Sequence, residues 1–273
     1  MSKPDWILGN EPVSEKLNVR AELKRFRENP VLPLVRIIET LSGENPPRIL
    51  ENELSRYLEA YEFYYLSLER FIPEMSLALR WDRGPRWVRG RGRKYTPAQR
   101  KLADRYHAVK KFIAYDFFNC LLYARILLDR LTPLSRHFLD SIDGRLPSFT
   151  SFSKHRQFFR RLKSPYGKHE EYATYIRENT DWFDMPLKAV RDKHVVHSGP
   201  QHMKVFGYVA GYEHDLTLTL LVPEDSSDLS RMQPISVSIR RLARDIDEFL
   251  KWFCAYGLRA LEERLTDVIG SML

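Results

Sequence analysis

The chain has 273 residues, of which 43% are hydrophobic and 29% are charged. This is the composition of a globular protein large enough to bury its own core, and it excludes a disordered or fibrous chain. Only two cysteines occur, which excludes a disulfide framework and a zinc site of clustered thiolates. The first residues contain no apolar run, and charged residues interrupt the most apolar stretch, 112–128. We therefore expect a soluble cytoplasmic protein that makes no membrane contact.

The formal net charge of +8 is concentrated in a basic loop. Residues 80–94 read RWDRGPRWVRGRGRK, with seven basic residues against one acidic residue. Glycine and proline forbid a continuous helix there. Arginine forms forked hydrogen bonds to phosphate groups, and tryptophan stacks on unpaired bases. We predict that RNA or another polyanion contacts Arg80, Arg83, Arg86, Trp87, Arg89, Arg91, Arg93 and Lys94. A solvated loop, or a loop that docks on an acidic protein, has the same composition.

A second basic cluster lies at 154–163, with five basic residues and no acidic residue. It suggests the same class of partner, because a local excess of positive charge attracts polyanions.

Proline and glycine divide the first half of the chain into helical segments. Neither occurs between Pro47 and Pro73, where apolar residues recur at alternating spacings of four and three. That spacing predicts an amphipathic helix. The sequence TPAQ at 96–99 is a helix start, with a threonine N-cap and a glutamine three residues later. The helix it opens runs towards Pro133, and its second half is apolar on nearly all sides, as in the central helix of a bundle.

The pattern changes in the second half of the chain. Helices are predicted near 151–163 and 168–197, and the second is followed directly by the stop signal SGP. Residues 203–222 are rich in β-formers and predict a hairpin, with strands at 205–209 and 216–220.

An acidic, serine-rich loop is predicted at 224–230, and a long C-terminal helix from Ile235. The predicted fold class is therefore mostly α: a helical bundle with extra N-terminal helices and one small β-hairpin insertion. We predict an N-terminal helical segment, 1–95, that ends in the basic loop. The bundle then covers 96–273, and the two parts can share one core.

The segment RDKHVVH at 191–197 concentrates reactive side chains at the end of a predicted helix. On ideal helix geometry Arg191, His194 and His197 step round the axis by about 60° each, so they share one arc. Histidine exchanges a proton near neutral pH, and arginine binds a phosphate group and the charge that grows on it. These groups suffice for metal-independent RNA cleavage, in which a 2′-hydroxyl attacks its own phosphodiester.

An arginine followed by a polar residue, with a histidine after four to six intervening residues, resembles the signature of HEPN domains (higher eukaryotes and prokaryotes nucleotide-binding). The resemblance implies a bundle of four or five helices, here over 97–270, with the signature on a late helix. It implies that Arg191 and His197 are catalytic and that Asp192 orients or supports them, with Lys193 and His194 as accessory residues.

Many members of this family are ribonucleases of toxin–antitoxin, phage-defence or RNA-processing systems. Family members commonly dimerise, so the resemblance implies a homodimer in which two motifs form one composite cleft. It also implies a possible antitoxin or effector as a partner protein. We expect no cofactor and no metal.

The Arg–His spacing alone is not distinctive. It also occurs at Arg100–His107 and at Arg130–His137. Only the copy that starts at Arg191 has an aspartate after the arginine and ends a predicted helix.

Other interpretations of these residues stay open. Arg191 and Asp192 can form a helix-end ion network with a purely structural role. The four histidines of this region could instead form a metal site: His194, His197, His202 and His214. The aromatic residues of 57–65 suggest a base-stacking platform, but their helical spacing is more typical of a core. The predicted function is a metal-independent endoribonuclease. The alternatives are a non-catalytic HEPN-like module that binds a nucleotide or RNA, and a protein-interaction module.

Overall fold

The fold is mostly helical, as the sequence predicts. A computed structural model describes residues 24, 26–43, 47–83, 96–140, 149–185, 187–188, 217–225 and 228–272. The elements in chain order are α1 (Leu32–Leu41), α2 (Arg48–Arg83), α3 (Pro97–Leu131), a 3-10 helix (Thr132–His137), α4 (Phe152–Arg161), a 3-10 helix (Gly167–His169), α5 (Glu170–Glu178), a 3-10 helix (Asp181–Phe183), β1 (Thr217–Asp225), β2 (Asp228–Ser238) and α6 (Ile239–Met272). Within these ranges, no helix is both long enough and apolar enough to cross a membrane.

Helix α3 begins with the predicted capping box. The Thr96 backbone N–H donates to Gln99 Oε1 at 2.6 Å, and the Gln99 N–H donates to Thr96 Oγ1 at 3.3 Å. Two N–H groups that lack partners within the helix are thereby satisfied. Helix α2 continues beyond its predicted end at Pro73 and is described as far as Arg83. Buried residues on both sides of the proline, among them Met75, hold the helix in the core, and this packing outweighs the lost hydrogen bond.

The β-hairpin lies further along the chain than predicted. β1 pairs antiparallel with β2, from Thr217 opposite Ser238 to Asp225 opposite Asp228. The predicted second strand, 216–220, is therefore the first strand of the observed pair. The predicted partner strand, 205–209, lies outside the described residues.

The start of the C-terminal helix was also predicted too early. Ile235 and Val237 alternate with serines, and this period of two belongs to strand β2. Val237 is 2% exposed. Helix α6 begins at Ile239, where the Ser238 side-chain oxygen accepts a hydrogen bond from the Arg241 N–H at 3.1 Å. The serine thus acts as the N-cap.

The predicted single helix over 168–197 is wrong in its described part, because α5 ends at Glu178. The Thr180 hydroxyl donates to the Ile176 carbonyl at 2.6 Å, and Trp182 Nε1 donates to the Asn179 carbonyl at 2.9 Å. These side chains satisfy carbonyl groups at the helix end and so compete with a further helical turn.

Contacts group the chain into two compact units. The first unit comprises 1–25, 66–120 and 190–243, and the second comprises 26–65, 121–189 and 244–273. The predicted boundary at residue 95 stays a prediction.

Aromatic rings form the core of the second unit. The Phe138 ring lies 5.2 Å from the Phe253 ring and 5.8 Å from the Tyr172 ring, in edge-to-face arrangements. A Cβ atom at Gly257 would lie 2.8 Å from Leu34 and 3.0 Å from Phe138. The missing side chain at this position therefore allows α6 to pack closely on this core.

Three of the aromatic residues at 57–65 belong to the core, as their helical spacing indicates, whereas Phe63 is 43% exposed. Tyr57, Tyr61 and Tyr64 are buried. The Tyr57 hydroxyl donates to the Asn29 side chain at 2.7 Å, and the Tyr61 hydroxyl lies 2.9 Å from the Phe26 carbonyl. These tyrosines fix residues 26–29 against α2 and are not available to stack on bases.

Candidate functional site

The predicted catalytic segment lies outside the described residues. The same holds for the histidines of the metal interpretation and for residues 84–94 of the basic loop. These positions are Arg191, Asp192, Lys193, His194, His197, His202, His214, Arg86, Trp87, Arg89, Arg91, Arg93 and Lys94. Arg80 and Arg83 lie in helix α2, so the predicted loop is wrong over 80–83, and the backbone alone of these two residues is described. Their predicted roles stay predictions.

The competing Arg130–His137 pair is unsuited to acid–base chemistry at neutral pH. His137 Nε2 lies 3.6 Å from Glu53 Oε2. Burial, together with the nearby Arg136 and Arg264 guanidinium groups, lowers the pKa of His137 to about 4. A histidine with this pKa is neutral at pH 7 and a weak base.

The described residues that come just before the motif belong to a segment with buried side chains. The residues after α5 include Phe183 and Leu187, and both side chains are fully buried. Lys188 is exposed and is the last described residue before Arg191, which follows three positions later. The core of the second unit therefore holds the segment that leads into the motif.

A buried arginine fixes this segment. Arg156 on α4 has a side chain that is 3% exposed. Its Nη1 donates to Asp184 Oδ1 at 2.7 Å and its Nη2 to Asp184 Oδ2 at 3.1 Å, which is a bidentate pair. Its Nε donates to Thr180 Oγ1 at 2.7 Å, and Nη2 also lies 3.3 Å from Asp181 Oδ1. All of these acceptors lie in the nine residues that follow Asn179. We call this set the Arg156 network.

Arg160 binds the same two carboxylates from the solvent side. Its Nη1 lies 3.1 Å from Asp184 Oδ2, and its Nη2 pairs with Asp181. Partial burial would raise the pKa of Asp184, but the hydrogen bonds from Arg156 and Arg160 outweigh it and lower the pKa. Two of the five cations in the basic cluster 154–163 are thus neutralised within the fold.

A second guanidinium approaches the same segment. Two guanidinium groups lie over the Phe183 ring, with the Arg125 guanidinium carbon 4.4 Å and the Arg156 guanidinium carbon 5.0 Å from its centroid. Arg125 Nε donates to Asp129 Oδ2 at 3.2 Å, and Asp129 Oδ1 accepts from the Phe152 N–H at 2.8 Å. The charge that interrupts the apolar stretch of α3 therefore serves to anchor α4 and the residues before the motif.

Two carboxyl groups form a separate polar centre in the first unit. Asp116 has a side chain that is 1% exposed, and its Oδ2 accepts from Arg70 Nη2 at 3.1 Å. Asn119 Nδ2 donates to Asp116 Oδ1 at 3.5 Å. Burial first, and then the charge and hydrogen bond of Asp116, raise the pKa of Glu74 to about 7. The Glu74 carboxyl group therefore gains or loses its proton near neutral pH.

Glu74 borders a cavity of about 420 Å³. Glu74 and Arg105 supply its charged groups, and its apolar lining includes Leu77 and Val109. A carboxyl group with a perturbed pKa in a cavity of this size is typical of functional sites, although ion-pair networks produce such shifts as well. Within the described part of the chain, no group of three or more His, Cys, Asp or Glu side chains could hold a metal ion.

Sequence reasoning missed this carboxyl pair, although one signal was present. Asp116 interrupts an apolar helical stretch, and an acid at a core position of a helix requires a partner. Nothing in the sequence links it to Glu74 on a different helix, because that pairing depends on how α2 and α3 pack.

Comparison of the chain with protein-family models, with curated proteins and with solved structures gives no match.

Proposed function

We propose that this chain is a metal-independent endoribonuclease of the HEPN type. The observation that carries the proposal is the sequence Arg191-Asp192-Lys193 with His197 before a helix stop signal. It combines a permanent cation, an acidic residue and a group that titrates near neutral pH within seven residues.

In the proposed reaction His197 accepts the proton of a ribose 2′-hydroxyl. The 2′-oxygen attacks the adjacent phosphorus, and the bond from phosphorus to the 5′-oxygen breaks. The leaving 5′-oxygen takes up a proton from water and His197 returns its proton to water, so the products are a 2′,3′-cyclic phosphate and a 5′-hydroxyl. Arg191 stabilises the negative charge of the pentacoordinate phosphorane. Asp192 orients one of these two side chains.

Two features of the described residues support this proposal. The first is the mostly helical fold, which agrees with the fold that the resemblance implies. The second is the Arg156 network, together with the buried Phe183 and Leu187, which fixes the chain up to Lys188. A catalytic group gains from a rigid support, because small displacements of a reacting group reduce the rate strongly.

The test is incubation of the purified full-length chain with RNA in excess EDTA. Wild type is compared with Arg191→Ala and His197→Ala. Arg100→Ala and His107→Ala are the matched controls, because they have nearly the same Arg–His spacing on the exposed surface of α3. We expect wild type and both controls to cleave RNA, and each motif variant to lose at least 100-fold in rate, the scale of a positioned acid or base.

Equal cleavage by His197→Ala and wild type would overturn the assignment of the base. No cleavage by the folded wild-type protein would overturn the proposed activity itself.

A further inference from the structure

We infer that the exposed face of helix α4 binds the sugar–phosphate backbone of single-stranded RNA. The residues that would make the contacts are Lys154, Arg161 and Lys163, which we call the α4 cationic face. This inference rests on the proposed function for the identity of the polyanion, and it adds a binding surface outside the motif and the basic loop.

The two faces of α4 differ sharply in chemistry. Phe152, His155, Arg156 and Phe159 are buried in the core of the second unit. Lys154, Gln157 and Arg161 are exposed on the other side, and Lys163 follows just after the helix. The helix therefore presents a polar, cationic surface to solvent.

Pairing separates the cations of this segment into two groups. Arg156 and Arg160 are held by Asp181 and Asp184. Lys154, Arg161 and Lys163 make no ion pair with any described residue. The free positive charge of the cluster is thus borne by the three residues of the α4 cationic face.

The spacing of these cations suits a continuous polyanion. Lys154 and Arg161 are seven residues apart, which places them about 20° apart round the helix and about 10 Å apart along its axis. Long lysine and arginine side chains can therefore reach neighbouring phosphates of one short segment.

The surface is also held in place before any ligand binds. The Ser151 side chain caps α4 by accepting from the Lys154 N–H at 3.3 Å, and the Arg156 network fixes the middle of the helix. A preformed surface reduces the ordering cost of binding. Contacts from cations to phosphates carry no sequence information, so this face adds affinity that is independent of RNA sequence.

The experiment compares two adjacent arginines that differ in their pairing. Arg161→Gln removes an unpaired cation, whereas Arg160→Gln removes one that Asp181 and Asp184 already neutralise. Both substitutions lower the net charge by the same amount. The probe is a 12-nucleotide 2′-O-methyl oligouridine, which lacks the attacking hydroxyl and reports binding to the full-length protein without cleavage.

Each lost phosphate contact reduces the slope of log K against log salt by about 0.7, or binding by about fivefold at 0.1 M salt. We expect this change for Arg161→Gln and less than a twofold change for Arg160→Gln. In the triple variant Lys154→Gln, Arg161→Gln, Lys163→Gln, the slope should fall by about 2. Circular dichroism and thermal unfolding establish that the variants remain folded.

Equal effects of the two arginine variants, an unchanged slope in the triple variant, or no binding by wild type would each overturn the inference. Because the probe cannot be cleaved, these outcomes are separate from the test of catalysis. A wild-type protein that cleaves RNA while the triple variant binds normally would leave the proposed function intact and remove the α4 cationic face.

Discussion

The Arg156 network provides the sharpest stability prediction. Arg156→Met keeps an unbranched side chain in the core but removes the guanidinium that binds Thr180, Asp181 and Asp184. Methionine fills much of the same space, so the loss reflects the polar contacts more than a cavity.

The magnitude follows from the exposure of each partner. Removing one partner of a fully buried ion pair costs about 3–5 kcal/mol. Here the arginine side chain is 3% exposed but the Asp184 side chain is 40% exposed, and Arg160 still binds that carboxylate. We therefore expect a loss of about 2–3 kcal/mol, below that range. For a chain of this size such a loss lowers Tm by about 4–12 °C.

Thermal and urea unfolding measure this effect, with Arg160→Met as the control. Arg160 binds the same carboxylates with a side chain that is 40% exposed, so its removal should cost less than about 1 kcal/mol. The hydrogen bonds that lower the pKa of Asp184 stabilise the fold above the ordinary aspartate pKa of about 3.9. The difference between wild type and Arg156→Met should therefore shrink as pH falls below that value. Equal losses for the two variants would refute the reasoning.

Three further outcomes are expected. Thr96→Ala removes the N-cap of α3 and should cost about 1 kcal/mol in urea unfolding, whereas an unchanged midpoint would contradict the capping role. Glu74 has a raised pKa of about 7, so the folded state binds more protons than the unfolded state between about pH 4.3 and 7, and stability should fall as pH rises through that window. Glu74→Gln should remove this pH dependence, which amounts to a change of about 1–2 kcal/mol in the free energy of unfolding across the window, after allowance for solvent. If the variant keeps the same pH dependence, another group causes it. Burial lowers the pKa of His155 to about 3, so stability should fall as pH drops below about 6.5, and His155→Phe should reduce that loss in an acid titration. An unaltered acid titration would exclude His155 as its source.

Local signals in the sequence located the long helices of the first half. The capping box at Thr96 and the apolar spacing of α3 are determined by neighbouring residues, and the structure confirms both. Pro73, by contrast, does not stop α2, which the structure describes as far as Arg83. A helix start that depends on neighbouring residues, such as that of α3, can therefore be predicted from the sequence alone.

Features that depend on distant contacts were harder to predict. The pairing of 217–225 with 228–238 places Ile235 and Val237 in a strand, although the apolar residues that follow them have a helical period. The sequence of 154–163 contains basic residues and no acidic residue. In the folded chain, packing brings Asp181 and Asp184 to Arg156 and Arg160. Charge counted along a sequence does not reveal which cations are already paired.

The most direct test of the proposed activity is the chemistry of the RNA ends. An oligoribonucleotide is incubated in EDTA with wild type and with His197→Ala, beside the same sequence with a 2′-O-methyl group at every ribose, and the products are analysed by mass spectrometry. Attack by the 2′-hydroxyl predicts 2′,3′-cyclic phosphate and 5′-hydroxyl ends from wild type, none from His197→Ala, and no cleavage of the methylated strand. Products with 3′-hydroxyl ends, or cleavage of the methylated strand, would contradict attack by the 2′-hydroxyl.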